Sequence, residues 1–171
     1  MDEDARLIRA MRAGDDGAIE SFVRKYYPGI YRYCLRRLPS SADAEDLTQE
    51  TFERFFRGFE SYRHRGKAKN YLYVIAGSLC ADFFRRRGGE QTPELTETVA
   101  APETDTERRL DLESAVRALP EPLREVTVLH YFQDLKLHDI AQILGIGLPL
   151  VKYRISKAKQ QLKSLLQEDD V

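Results

Sequence analysis

The chain has 171 residues, of which 42% are hydrophobic and 32% charged, with a formal net charge of −1. That length suits one medium domain or two small ones, and the apolar content is enough for real cores. The neutral total excludes any argument for nucleic-acid binding from composition alone.

The charge is segregated, however. Residues 1–87 carry 17 Lys+Arg against 13 Asp+Glu, residues 88–107 carry 6 acids and no base, and residues 108–171 carry 10 bases against 9 acids. Such blocks point to electrostatic partners that act locally.

Helical periodicity dominates, and strand alternation is almost absent. A first helix is predicted from Glu3 to Ala13, ending at Gly14. A second opens at Asp15 or Asp16 and carries Ile19, Phe22, Val23 and Tyr26 at helical spacing. Pro28 fits the first turn of a third, with Ile30, Tyr31, Cys34, Leu35 and Leu38. Ser40 or Ser41 can cap the next helix, whose first turns hold Asp43, Glu45 and Asp46 near the positive end of the helix dipole. Its apolar stripe is Leu47, Thr51 and Phe55, with Phe52 and Phe56 beside it. Phe59 to Lys69 is a basic loop, and a long helix follows from about Ala68 to Arg87.

Gly88 to about Thr106 has two prolines, several threonines and no apolar periodicity, so it reads as a flexible acidic linker. The second domain begins near Thr106. Leu110, Leu112, Val116 and Leu119 fit one helix. Leu119-Pro-Glu-Pro turns into another, with Leu123, Val126, Leu129 and Tyr131. Leu137–Leu144 is a short helix, Gly145-Ile-Gly a break, and Pro149 starts a last helix to about Gln167.

Cys34 and Cys80 lie in apolar stretches without C-x-x-C spacing, and the three histidines are scattered. Buried reduced thiols are expected, and no zinc site or other cofactor. The acidic start is no secretory signal. Tyr71 to Phe84 is too short to span a membrane and contains Asp82. A cytoplasmic protein with no membrane insertion is expected.

Three constellations carry function. From Leu137 to Ile155, two helices flank a tight turn. Gly145 stands where a helix end needs positive φ, and Ile140, Leu144, Ile146, Val151 and Ile155 can share one core. This is a helix-turn-helix pattern, whose second helix enters a major groove. From Gly145 to Lys163 there are five bases and no acid, cations that can meet phosphates or guanine edges. The second constellation interleaves aromatics with bases from Tyr62 to Tyr73 and ends in Arg85-Arg-Arg. Aromatic faces stack on unpaired bases while cations follow the backbone, so it suits melted DNA. Tyr73, Val74 and Ile75 read instead as core. The third, Ala44-Glu-Asp-Leu-Thr-Gln-Glu-Thr-Phe, pairs acids without a nearby base or metal-type spacing. It reads as dipole complementarity or a docking face for a basic partner. No metal cluster, nucleophile dyad or phosphate loop supports an enzyme.

The ordered set resembles the extracytoplasmic-function (ECF) sigma factors, the smallest of the housekeeping-type sigma family. Ala44 to Phe52 looks like their core-binding helix and Tyr71-Leu-Tyr-Val-Ile-Ala…Arg85-Arg-Arg like their promoter-melting helix. Leu119-Pro-Glu-Pro-Leu-Arg-Glu-Val and Asp139-Ile-Ala-Gln-Ile-Leu-Gly-Ile look like the opening of their second domain. The resemblance implies an all-α chain in which a four-helix sigma domain 2 (residues 1–87) and a helix-turn-helix sigma domain 4 (108–171) flank the linker (88–107).

It further implies that Glu45, Asp46, Gln49, Glu50 and Glu53 dock on the β′ clamp helices of bacterial core RNA polymerase, with the β flap a second polymerase contact. Arg63, Arg65, Lys67, Lys69, Asn70, Tyr71, Ser78, Arg85 and Arg86 would bind the melted non-template strand of the minus-ten element, the loop receiving a flipped base. Leu150, Lys152, Tyr153, Arg154, Ser156 and Lys157 would read duplex minus-thirty-five DNA. The linker would follow the polymerase's RNA path, and an anti-sigma factor would clamp the two domains. The chain departs from the family at Tyr71 (usually Trp), Ser78 (usually Asn), Pro149-Leu150 (usually Gly-Thr) and Tyr153 (usually Ser), which bears on its promoter sequence. The competing reading is a stand-alone helix-turn-helix regulator that binds duplex DNA without polymerase.

Overall fold

The computed structural model describes residues 2–64, 67–87 and 106–168, with side chains in the last stretch from 111 to 166. All regular structure among them is helical. The chain divides into two compact units, residues 1–97 and 98–171. The expected linker falls almost wholly outside the described residues; its last two positions, Thr106 and Glu107, already belong to a helix.

The first unit comprises α1 (Glu3–Arg12), α2 (Asp16–Arg37), α3 (Ser41–Arg57) and α4 (Ala68–Arg86). Each of the first three starts at a side-chain cap that satisfies an otherwise orphaned amide. Asp2 accepts from the amide of Asp4 at 2.8 Å, and Asp15 from that of Gly17 at 2.9 Å. Ser40 accepts from the amide of Asp43 at 3.1 Å and donates its own hydroxyl to the Asp43 carboxylate at 2.9 Å. Gly14, at φ +86°, turns the chain between α1 and α2.

Pro28 does not break the chain as expected. It lies inside α2, so the two helices foreseen there are one. An interior proline costs about 3 kcal/mol. Phe22 before it and Ile30, Tyr33 and Cys34 after it are all buried on the same core, and continuity lets them pack together. Pro28 itself is exposed, so water can reach the carbonyl that loses its partner.

That core is aromatic. Phe22 stacks on Phe55 of α3 with ring centroids 5.0 Å apart, and Tyr33 meets Tyr73 of α4 edge-on at 5.3 Å. Gly77 permits the close crossing of α4 over α2, where an added Cβ would lie 3.2 Å from the Tyr33 hydroxyl. Thr48 and Thr51, fully buried, satisfy their hydroxyls by donating to the carbonyls of Ala44 and Leu47. Cys34 and Cys80 are buried free thiols.

The second unit comprises α5 (Thr106–Ala118), α6 (Glu121–Thr127), α7 (Leu137–Leu144) and α8 (Leu148–Glu168). Leu119, Leu123 and Ala158 form a buried cluster against which Leu162 packs, and Val126, Leu129, Leu135 and Ile140 are buried as well. Leu112, expected in this core, is half out of it.

The helix expected through Tyr131 changes pitch instead. After Thr127 it widens into a π turn over Val128–Phe132, closed by the amide of Gln133 bonding to the carbonyl of Val128 at 3.0 Å. Asp134 then takes φ +56°, a left-handed conformation that Asp tolerates better than most residues. The His130 Nδ1 lies 3.0 Å from the Leu135 carbonyl and ties the turn. The wider pitch rotates Tyr131 out of the apolar stripe, leaving it 47% exposed.

Candidate functional site

The acidic helix is α3. Ala44, Thr48, Thr51, Phe52 and Phe55 form its buried stripe, while Glu45, Asp46, Gln49 and Glu53 face outward. Glu50 is half-buried and lies 3.3 Å from Arg54 one turn on, so part of its charge is spent within the helix. The outward set is therefore acids and an amide, a surface complementary to a basic partner. Tyr27 of α2 borders it: burial first, then the charge of Glu45, raises its phenol above the ordinary range.

The second site lies on α4 and the loop before it. Tyr71, Val74, Ser78 and Arg85 recur at three, four and seven residues and are all exposed, with Lys67 just ahead of them. Val74, expected in the core, is 41% exposed between Tyr71 and Ser78. Its neighbours Tyr73 and Ile75 are buried as expected, and burial pushes the Tyr73 hydroxyl up to about 12. Tyr71 is also 41% exposed, yet its ring stacks on Tyr62 at 5.3 Å and 28°. One aromatic pair is thus held against the unit with a face still open to solvent.

Asn70 is the exception among the residues assigned to DNA. It is 4% exposed in the first turn of α4, where the helix turns that position into the core. Its burial suits a structural part more than a surface contact. Lys69 is half-buried; Arg63, Arg85 and Arg86 are exposed; Arg65 lies outside the described residues. Arg85 is ion-paired with Asp82 on the preceding turn. Arg87 lies 4.4 Å from the Phe83 ring centroid and 3.8 Å from Asp43.

The helix-turn-helix pairs α7 with α8. Gly145, at φ +66°, ends α7, and its amide bonds back to the Ala141 carbonyl. Ile140, Val151 and Ile155 are buried, and Leu144 and Ile146 half-buried, so the five form the junction's apolar side. The amides of Leu150 and Val151 bond to the Gly147 carbonyl. Gly147 thus precedes the first turn, and Pro149 sits one residue deeper than expected. Leu150, Lys152, Tyr153, Ser156 and Lys157 face outward, Tyr153 at 59% exposure. Arg154 is half-buried, because it follows Val151 by three residues and leans toward the packed face.

Among the described residues no three His, Cys, Asp or Glu side chains converge as metal ligands. No helix among them is long and apolar enough to cross a membrane. The exposed faces offer binding surfaces of defined charge.

The family model for Sigma-70 region 2 matches residues 22–90, and that for Sigma-70, region 4 matches residues 109–162. The chain is 36% identical over 166 residues to the ECF RNA polymerase sigma factor SigE of Mycolicibacterium smegmatis, covering 90% of this chain and 64% of SigE. It is 31% identical over 181 residues to the ECF RNA polymerase sigma factor SigW of Bacillus subtilis, covering 95% of this chain and 96% of SigW. Its fold is similar to that of the sigma factor RpoE of Bartonella quintana, solved in complex with the anti-sigma factor NepR. The TM-score is 0.73 at 23% identity, over 87% of this chain and 96% of that one. The chain belongs to the ECF RNA polymerase sigma factors, a class of promoter-directing transcription initiation factors.

Proposed function

We propose that the first unit docks on the β′ clamp helices of core RNA polymerase through Glu45, Asp46, Gln49 and Glu53 of α3. The α4 stripe of Tyr71, Val74, Ser78 and Arg85, with the loop before it, engages the melted non-template strand of the minus-ten element. The outward residues of α8 read the minus-thirty-five duplex, and the β flap supplies the second unit's polymerase contact. The protein acts by binding, without chemistry of its own, in the bacterial cytoplasm, and an anti-sigma factor holds it inactive.

One observation carries this reading. Within the first unit α3 turns Glu45, Asp46, Gln49 and Glu53 outward, whereas the segment before α4 and α4 itself expose Arg63, Lys67, Tyr71, Arg85 and Arg86. A unit built only to hold duplex DNA has no use for an outward acidic helix, because phosphates repel it. A unit that must grip a protein and a melted strand together needs both.

The test is gel filtration of the full chain with bacterial core RNA polymerase, beside a Glu45→Arg, Asp46→Arg variant. The expected result is co-elution of the wild type and separate elution of the variant, with unchanged helical circular dichroism. Duplex binding by the protein alone, with no co-elution of either form, would instead support a stand-alone regulator.

A further inference from the structure

The segment just before α4 is held from outside by α1, a helix far from it in sequence. Arg12 donates to the Tyr62 carbonyl, and its guanidinium lies 5.6 Å from the Phe59 ring centroid. His64 is engaged through both ring nitrogens: Nε2 is 2.9 Å from an Asp2 carboxylate oxygen, and Nδ1 is 3.1 Å from the Tyr62 hydroxyl. Tyr62 in turn stacks on Tyr71. A continuous path therefore runs from the start of α1 through His64 and Tyr62 to the exposed aromatic platform. Beside it lies a cavity of about 520 Å³ lined by Arg12, Glu60, Ser61, Tyr62, Arg63 and His64.

We propose that Asp2, Arg12 and His64 are positioning residues. They tie the loop to α1 and set Tyr62 and Tyr71 in the geometry that receives an unpaired base. The inference rests on the reading that this loop binds the melted strand, and it adds α1 to the machinery. Without the tie, residues 62–64 would be ordered only on binding, and affinity would fall by that ordering cost. The bond from His64, with that from the Asp4 amide, holds the Asp2 carboxyl below the usual carboxylate range, in keeping with a formed pair.

The sign of one substitution separates this role from simple electrostatics. Asp2→Ser keeps a capping oxygen for α1 but is too short to reach His64. It also removes a negative charge near the strand, which by charge alone strengthens binding to DNA. Positioning requires the opposite.

The experiment uses holoenzyme assembled from the full chain and core polymerase. A single-stranded DNA is first enriched from a random library by wild-type holoenzyme, then titrated against each variant by fluorescence anisotropy. Asp2→Ser, His64→Ala and Arg12→Ala should each weaken binding about five- to tenfold, the scale of one lost net hydrogen bond. Arg12→Lys, which can still donate to the Tyr62 carbonyl, should restore most of it. Core-polymerase affinity should stay as in wild type, and Tm should fall by no more than the loss of one hydrogen bond allows. Arg24→Ala, which removes another exposed cation elsewhere on the unit, should leave strand binding within about twofold.

Unchanged or stronger binding by Asp2→Ser would overturn the positioning role while leaving the strand-binding reading intact. A parallel fall in core affinity would overturn it too, as the mark of a merely structural contact. Wild-type holoenzyme that enriched no strand would overturn the strand-binding reading and this inference with it.

Discussion

The hydroxyl of Tyr26 in α2 lies 2.6 Å from both carboxylate oxygens of Asp4 in α1. Asp4 is buried, and Lys25 approaches the same carboxylate at 3.0 Å. A buried carboxylate is tolerable only when paired and hydrogen-bonded, and here one phenol and one ammonium supply both. This latch seats α1 on α2, and α1 is the helix that reaches the loop before α4.

Removing the acceptor therefore costs more than removing one donor. Asp4→Ala strands the Tyr26 hydroxyl and leaves Lys25 only Glu3, 3.3 Å away, and should destabilise the first unit by about 1–3 kcal/mol. Tyr26→Phe leaves Asp4 with Lys25 and should cost about 1 kcal/mol. Urea unfolding of both variants checks the order; a larger loss for Tyr26→Phe would contradict the latch as described.

The same groups predict alkaline sensitivity. Burial, then the Asp4 hydrogen bond and charge, raises the Tyr26 phenol far above its ordinary value, and burial raises Tyr73 to about 12. Burial pulls Lys25 down, but its bonds and attraction to Asp4 and Glu3 outweigh that and raise it. A group whose folded pKa is raised stabilises fully below its unfolded value and loses that stability as pH climbs toward the folded one. The loss should set in above about pH 10 and continue past the Tyr73 value. Urea midpoints at pH 8, 10 and 11 should show it, and Tyr26→Phe should flatten part of the decline. A midpoint steady to pH 11 would refute the prediction.

Gly145 offers a cleaner backbone test. An added Cβ meets nothing within 4 Å, so substitution there costs only left-handed strain. Gly145→Ala should lower stability by about 1–2 kcal/mol, and Gly145→Asn by less, because Asn enters that region more readily. Thermal unfolding of the two variants should rank them so, and an equal loss would point to packing instead.

On α8, Lys152 and Lys157 are outward cations on a helix end that carries no acid. If each neutralises one phosphate, Lys152→Ala with Lys157→Ala should shallow the log–log salt dependence of promoter binding by about two units. Tyr153→Ala should weaken binding with the slope unchanged. Holoenzyme binding to promoter DNA from 50 to 200 mM salt measures both, and an unchanged slope for the double variant would remove the two lysines from the phosphate contacts.

Much of this was open to reading in one dimension. Caps at Asp15 and Ser40, the positive-φ turn at Gly145 and the apolar stripe of α3 depend on residues within a turn or two of each other. Their physics is local, and so is their signal. The base-rich run of α8 and the acids of α3 were legible for the same reason, since helical periodicity assigns exposure once the buried stripe is known.

The rest depended on contacts between distant segments. Pro28 stays helical because residues on both sides of it share one core, and that packing outweighs a local penalty. Tyr131 turns outward because a π turn shifts the register after Thr127. Val74 and Asn70 exchanged their expected places because the apolar run of α4 is wide, and only its neighbours decide which side is covered. Asp2 and His64 are 62 residues apart and carry no shared pattern. Sequence alone determined the helix caps, the charged faces of α3 and α8 and the helix-turn-helix, because these follow from short-range sterics and periodicity. Tertiary structure alone decided which faces are buried and which loop α1 holds, because burial free energy and long-range hydrogen bonds belong to pairs of segments, not to either one.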